Sequence, residues 1–191
     1  MPKPIPKTKL LHLTERSQWR AWLKRNYRAK DEVWLVYAKK HTRKPRISYN
    51  DTVEEALCFG WIDSTVRTID NDSFAQRFSV RKPNSSYSQA NKERIRGLIK
   101  DDKVMQDVID TLPDLSEDDF AIPSDILEAI KANEKAWKNF QEFSQPYIRI
   151  RIAYIDGART RPDEFKKRLA HFIKMTEINK QIGYGGIDKY Y

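Results

Sequence analysis

WIDSTVRTIDNDSFAQRFSVR, residues 61 to 81, decides the fold. Ile62, Val66 and Thr68 alternate with Trp61, Asp63, Thr65 and Arg67; Phe74, Phe78 and Val80 then alternate with Arg77, Ser79 and Arg81. Between the two runs stands Asn71-Asp72-Ser73. A period of two on both sides of a cluster of turn formers specifies an antiparallel hairpin. Pairing Asp70 with Phe74 across a three-residue loop sets Val66 opposite Phe78, Arg67 opposite Arg77 and Asp63 opposite Arg81. That register gathers Asp63, Thr65, Arg67, Arg77, Ser79 and Arg81 on one polar face, and a slip of one residue would mix the faces.

Upstream of the hairpin, Asp51 and Glu54 read as a capping box opening a helix that buries Val53, Ala56 and Leu57. Gly60 ends it, because glycine accepts the left-handed conformation beyond a last turn. His41 to Pro45 is a basic loop. Glu32 to Lys39 is apolar on both faces, which predicts a buried central strand. Thr14 is the expected N-cap of a helix carrying Trp19, Trp22 and Leu23. Residues 1–10 read as an extended tail, since Pro2, Pro4 and Pro6 interrupt regular hydrogen bonding.

Downstream, Asn91, Ile95, Leu98 and Ile99 mark one helix and Val104 to Ile109 a shorter one. Pro113 to Phe120 is an acidic linker, and Pro123 opens a helical region with Ile126, Leu127, Ile130, Trp137, Phe140 and Phe143. Two longer helices follow, around Tyr147–Gly157 and Asp163–Asn179, and Gly183-Tyr184-Gly185-Gly186 reads as a loose tail. The expected fold is therefore α+β: a small antiparallel sheet with packed helices, followed by an all-helical C-terminal region. The boundaries are a core domain at 1–112, the linker at 113–121, the helical region at 122–180 and the tail at 181–191.

With 191 residues the chain can bury roughly 70% of its unfolded surface, so it needs neither disulfides nor metal to fold. No apolar run approaches the ~18 residues of a membrane span, and the basic start lacks the apolar core of a secretory signal. One cysteine, Cys58, excludes a disulfide framework and a cysteine-rich zinc site; the expected compartment is the cytoplasm. The net charge of +9 is unevenly placed: residues 1–46 hold 14 Lys and Arg against three acids, a net of +11. Such an excess points either to an anionic partner or to a solvated basic face.

Cys58 lies between Leu57 and Phe59 on a helix and reads as a small core residue rather than a nucleophile. His12, His41 and His171 are isolated and lack ligand spacing, so no metal or cofactor is expected. Trp19, Trp22, Trp34 and Trp137 read as core. The stretch from Arg77 to Asn91 takes a strand through a polar loop into a helix N-terminus, where free N–H groups suit an anion. The candidate ligand-binding set is Trp61, Asp63, Arg67, Arg77, Arg81, Lys82, Ser85, Ser88 and Asn91, with no catalytic residue assigned.

The runs ALCFGWIDS at 56–64 and RFSVRKPNSSYSQANKERIRGLI at 77–99 resemble the YdeI/OmpD-associated, or bacteriocin-protection, family, and the resemblance extends back through Trp19–Leu23 and Val33–Lys40 and on through Pro123–Met175. The chain departs from the family's usual residues at Ser79-Val80, Tyr87 and Asp102, and around Arg159–Arg168. The resemblance implies an α+β core, a helical C-terminal region and a link to tolerance of cationic antimicrobial peptides; it implies no established reaction. The expected function is a non-enzymatic stress-protection protein with a small anionic ligand or an unidentified protein partner. One alternative is nucleic-acid binding, through Arg16, Arg20, Lys24, Arg25 and Arg28 interleaved with Trp19, Trp22 and Tyr27. The other is an enzyme of unknown reaction at Asp63 and Arg81. Steep salt dependence would mark nucleic acid; convergence of Asp63, Arg81, Ser88 and Asn91 in one pocket would mark an enzyme.

Overall fold

Val33, Leu35 and Tyr37 point one way from strand β2 (Glu32–Ala38) and Trp34 and Val36 the other, and all five are buried. The alternation places β2 inside a four-stranded sheet of order β1-β2-β4-β3, with β1 Leu10–His12, β3 Trp61–Thr68 and β4 Ser73–Val80. The computed structural model describes residues 5–82, 85–116, 120–183 and 186–191. It divides into two compact units, Met1–Ser86 with Leu98–Leu112, and Tyr87–Gly97 with Pro113–Tyr191.

In the first unit β2 pairs antiparallel with β4, and β4 antiparallel with β3. The sheet is nevertheless mixed, because Leu10–His12 adds in parallel to β2, with Leu10 beside Trp34. The expected tail thus ends in an edge strand: its prolines stop at Pro6, and from Lys7 onward every backbone N–H can donate. Pro2 and Pro4 lie outside the described residues. Helices α1 (Arg16–Asn26) and α2 (Tyr49–Cys58) cover the Val33, Leu35 and Tyr37 face. Trp19 of α1 meets Phe78 of β4 at 5.3 Å between ring centroids and donates its indole N–H to the Thr52 carbonyl of α2. The caps differ slightly from expectation. Glu15, in a reciprocal pair with Gln18, opens α1 in place of Thr14, and Ser48 opens α2 by accepting from the Asp51 N–H. Gly60 sits at φ 71° and closes α2 as expected.

The hairpin exists, but its register differs. Thr68 faces Phe74, because Asp70 folds the turn by accepting from the N–H groups of Asp72 and Ser73, a shift of two residues from expectation. An irregularity between Asp63 and Val66 shifts pairing by one more, so Asp63 stands opposite Phe78 and not Arg81. Parity decides the outcome. After an even shift Arg67 stays on the face of Arg77. After an odd one Asp63 crosses to the helix-covered face.

The second unit holds the first turns of α3 (Gln89–Lys100), then α5 (Ser124–Lys131), α6 (Glu134–Glu142), α7 (Gln145–Asp156) and α8 (Pro162–Glu177). The short α4 (Gln106–Ile109) belongs to the first unit. Ile126, Ile130, Phe140, Phe143, Tyr147, Ile152 and Phe172 form the second unit's core. Asn133 and Ser144 cap α6 and α7 through their side chains. Of the expected acidic linker, Glu117 to Asp119 lie outside the described residues, as do Tyr184 and Gly185 of the tail. The chain end is not loose: Ile187 is fully buried and Tyr191 packs edge-on against Tyr147 at 4.7 Å. The whole is α+β, and among the described residues no helix is long and apolar enough to cross a membrane.

Candidate functional site

The residues expected to bind a ligand are distributed over several places. Trp61 is wholly buried, donates its indole N–H to the Tyr27 carbonyl and meets Trp22 edge-on. Asp63 accepts from the Tyr49 hydroxyl at 3.1 Å and the Gln76 amide at 2.7 Å on the helix side of the sheet. On the opposite face, Arg67 lies over the Trp34 ring and Arg77 donates to Glu32 at 2.6 Å, where Lys9 also pairs. Arg81 bonds the Ser85 hydroxyl and the Ser86 carbonyl, folding a local loop with Lys82, whose carbonyl accepts from Ser85. Pro83 and Asn84 of that loop lie outside the described residues. Ser88 and Asn91 belong to the second unit, where the Ser88 hydroxyl accepts from the Asn91 N–H and the Asn91 side chain accepts from Arg94. The structure brings together Arg67 with Arg77, and Arg81 with Ser85, but not Asp63 with Arg81.

A cavity of about 540 Å³ opens instead between α7 and α8 of the second unit. Arg151, Tyr154 and Ile155 line it from α7; Glu164, Lys167, Arg168, His171 and Phe172 line it from α8. Spacings of three and four residues put each set on one helix face. Ile155 and Phe172, both buried, form the floor, and the charged groups stand around it. Arg168 is fixed at three points. Its Nε donates to Glu164, its Nη1 donates to the Tyr154 carbonyl (2.7 Å each), and its guanidinium lies 3.8 Å from the Tyr154 ring centroid. The Arg168 hydrogen bond is also the main reason the Glu164 carboxyl is held below its ordinary value.

Arg151 is buried, only 4% exposed, and donates to the Tyr191 hydroxyl at 3.0 Å. Tyr191 donates in turn to the Ile182 carbonyl, and the Ile182 N–H donates to the Tyr147 hydroxyl. The chain end therefore straps Ile182 and Gly183 onto α7 as the third wall of the cavity. Burial pushes up both phenols, Tyr147 and Tyr191, which keeps them neutral donors and acceptors. Lys167 and His171 make no hydrogen bond or short ion pair among the described residues. The lining thus carries three positive charges and an imidazole against one carboxylate.

A second, wider groove of about 810 Å³ in the first unit mixes His12 and Lys44 with Asp70 and Asp72, so it favours neither sign of charge. Cys58 is fully buried, and burial pushes its thiol up to about 11, leaving almost no thiolate at neutral pH. Among the described residues no three His, Cys, Asp or Glu side chains group as metal ligands.

Residues 119–179 match the family model described as bacteriocin-protection, YdeI or OmpD-associated, and residues 11–111 match a domain of unknown function (DUF8412). The chain belongs to the DUF8412 family and carries a YdeI/OmpD-associated domain behind it. No curated protein and no solved structure matches. The runs at 56–64 and 77–99 that carried the resemblance fall in the DUF8412 part; the YdeI/OmpD-associated domain is the helical second half. The cavity side chains from Arg151 to Phe172 all lie within that domain. One signal for them was on the page: in Tyr147-Ile148-Arg149-Ile150-Arg151-Ile152 arginines interrupt isoleucines in a helix buried nearly all round. Arginine placed so is held by partners or faces a cavity.

Proposed function

We propose that the YdeI/OmpD-associated domain binds a small anionic ligand in the α7–α8 cavity, and that the chain is a non-enzymatic stress-protection protein of the cytoplasm. Its contribution to tolerance of cationic peptides runs through that ligand. The observation that carries the reading is the lining itself: Arg151, Lys167 and Arg168 against Glu164 alone, around a cavity with a buried floor. Arginines already oriented by neighbours attract an anion with little reorganisation. Direct capture of a polycation has less support, because a protein of net charge +9 repels it. Nucleic-acid binding also has less support. Arg16 and Arg20 are engaged by Asp51, Glu54 and Glu55 and Arg28 by Asp107, which answers part of the basic first quarter.

The test is titration of the full chain with inorganic phosphate, alongside Lys167→Gln and the double variant with Arg168→Gln, followed by peptide tolerance of cells carrying each. Loss of one charge-assisted contact weakens phosphate binding by about tenfold or more. Unchanged binding in the double variant removes the cavity as the site and returns attention to Arg67, Arg77 and Arg81 on the sheet and its following loop.

A further inference from the structure

We infer that the occupant of the α7–α8 cavity is an amphiphile: an alkyl or acyl chain ending in an oxyanion, its head on Lys167, Arg168 and Arg151 and its chain on the apolar floor. The inference rests on the reading of the cavity as an anion site and adds what the rest of the lining demands. A site for a bare inorganic anion needs donors on several sides and gains nothing from apolar walls. Here the same lining adds to the cations Ile155, Phe172, Ile182 and the Tyr154 ring, four groups that offer no charge and little hydrogen bonding. Ile155 and Phe172 are 1% exposed and belong to the core, so the apolar surface open to a chain is that of the exposed Tyr154 ring and half-buried Ile182. Water over that surface is displaced favourably by methylene groups.

The head end is equally determined. Arg168 is stacked on Tyr154 and tied to Glu164 and the Tyr154 carbonyl, so its guanidinium stays put whether or not a ligand is present. Lys167 stands next to it, and His171 lies one turn further along α8. The wall of Ile182 and Gly183 is pinned by Tyr147 and Tyr191, with no room beside Gly183: a Cβ there would stand 1.9 Å from the Asp188 carboxylate. A chain entering from the charged rim therefore meets a fixed wall at Ile182 and Gly183.

Titration calorimetry of the intact protein with inorganic phosphate, butyl phosphate, octyl phosphate and octanol tests this. Each methylene that reaches the apolar lining is expected to tighten binding about fourfold, about 250-fold from butyl to octyl phosphate. Octanol is expected to bind far more weakly than octyl phosphate. Lys167→Gln is expected to weaken every phosphate by about tenfold without shifting Tm, and Lys167→Arg to restore binding. Equal affinity for inorganic and octyl phosphate overturns the amphiphile while leaving the anion site standing. No binding of any phosphate overturns both readings, as does octanol binding as tightly as octyl phosphate. Flotation with phosphatidylglycerol vesicles separates the sources: co-flotation lost in Lys167→Gln supports a lipid headgroup with its chains, and absence of flotation beside tight octyl phosphate binding supports a free amphiphile.

Discussion

Removing Arg149 should unfold the second unit by an amount its geometry sets. Glu93 and Arg149 are both about 95% buried, their side chains 4% and 5% exposed, and they meet through Nε–Oε1 at 2.7 Å and Nη2–Oε2 at 3.1 Å. Gln89 also donates to Oε1 at 2.8 Å, and Arg96 forms an ion pair with the same oxygen at 2.8 Å. Arg149→Met keeps the bulk of the side chain and leaves a buried carboxylate with two of its three partners. Breaking one side of a buried pair costs about 3–5 kcal/mol, and the surviving bonds place this case near 3. Against a total stability of about 5–15 kcal/mol that is a severe loss. With a urea slope of about 2 kcal/mol/M, the midpoint should fall by about 1.5 M with the slope unchanged, followed by far-ultraviolet circular dichroism. Glu93→Met together with Arg149→Met removes the stranded charge and should recover most of the loss, giving a coupling energy of about 2 kcal/mol. A single variant within 0.5 kcal/mol of the parent (roughly the scatter of surface changes) would refute the argument. So would a double variant less stable than Arg149→Met alone.

The same pair makes the unit acid-sensitive. Burial pushes the Glu93 carboxyl up, but bonds from Arg149, Gln89 and Arg96 outweigh it and hold it below its ordinary value. A depressed carboxylate contributes stability that is complete above the unfolded value and lost as pH falls through the folded one. Midpoints should therefore hold above about pH 5.5 and decline below about 4.5, a decline smaller in the double variant. Gly60→Ala should cost about 1–2 kcal/mol in thermal or urea unfolding, because φ is 71° there while the new methyl only touches Val108 at 3.4 Å. Cys58 should resist iodoacetamide at neutral pH in native protein and react once urea unfolds it; rapid native labelling would contradict its burial and raised thiol value.

The fold was legible where period and punctuation agreed. The two-faced apolar run of β2, the αL glycine at position 60 and the capped helices α6 and α7 follow from residues close together in the chain. The hairpin was legible as a hairpin and not in its register. Side-chain alternation specifies register only modulo the turn and any bulge, and both interventions here are local. The Asp70 carboxylate gathers the Asp72 and Ser73 N–H groups, and the ladder skips between Asp63 and Val66. Neither is visible in alternation alone. Together they move Asp63 from the face of the arginines to the face of Phe78.

Charge was the least transferable signal, for a physical reason. Net charge is summed along the sequence, whereas the potential a ligand meets is summed through space. The first quarter carries +11, yet Arg16 and Arg20 point at Asp51, Glu54 and Glu55 of α2 and Arg28 at Asp107, so part of its excess is answered by acids drawn from elsewhere. Residues 47–191 net −2, and a reading of composition passes over them. Within that near-neutral stretch helical spacing sorts the signs. Asp163 and Glu164 occupy the first turn of α8, where the helix dipole favours them, and Lys167, Arg168 and His171 follow on the side that faces α7. A neutral average thus hides a local cationic rim, and the apolar floor beneath it gives that rim something to hold besides water.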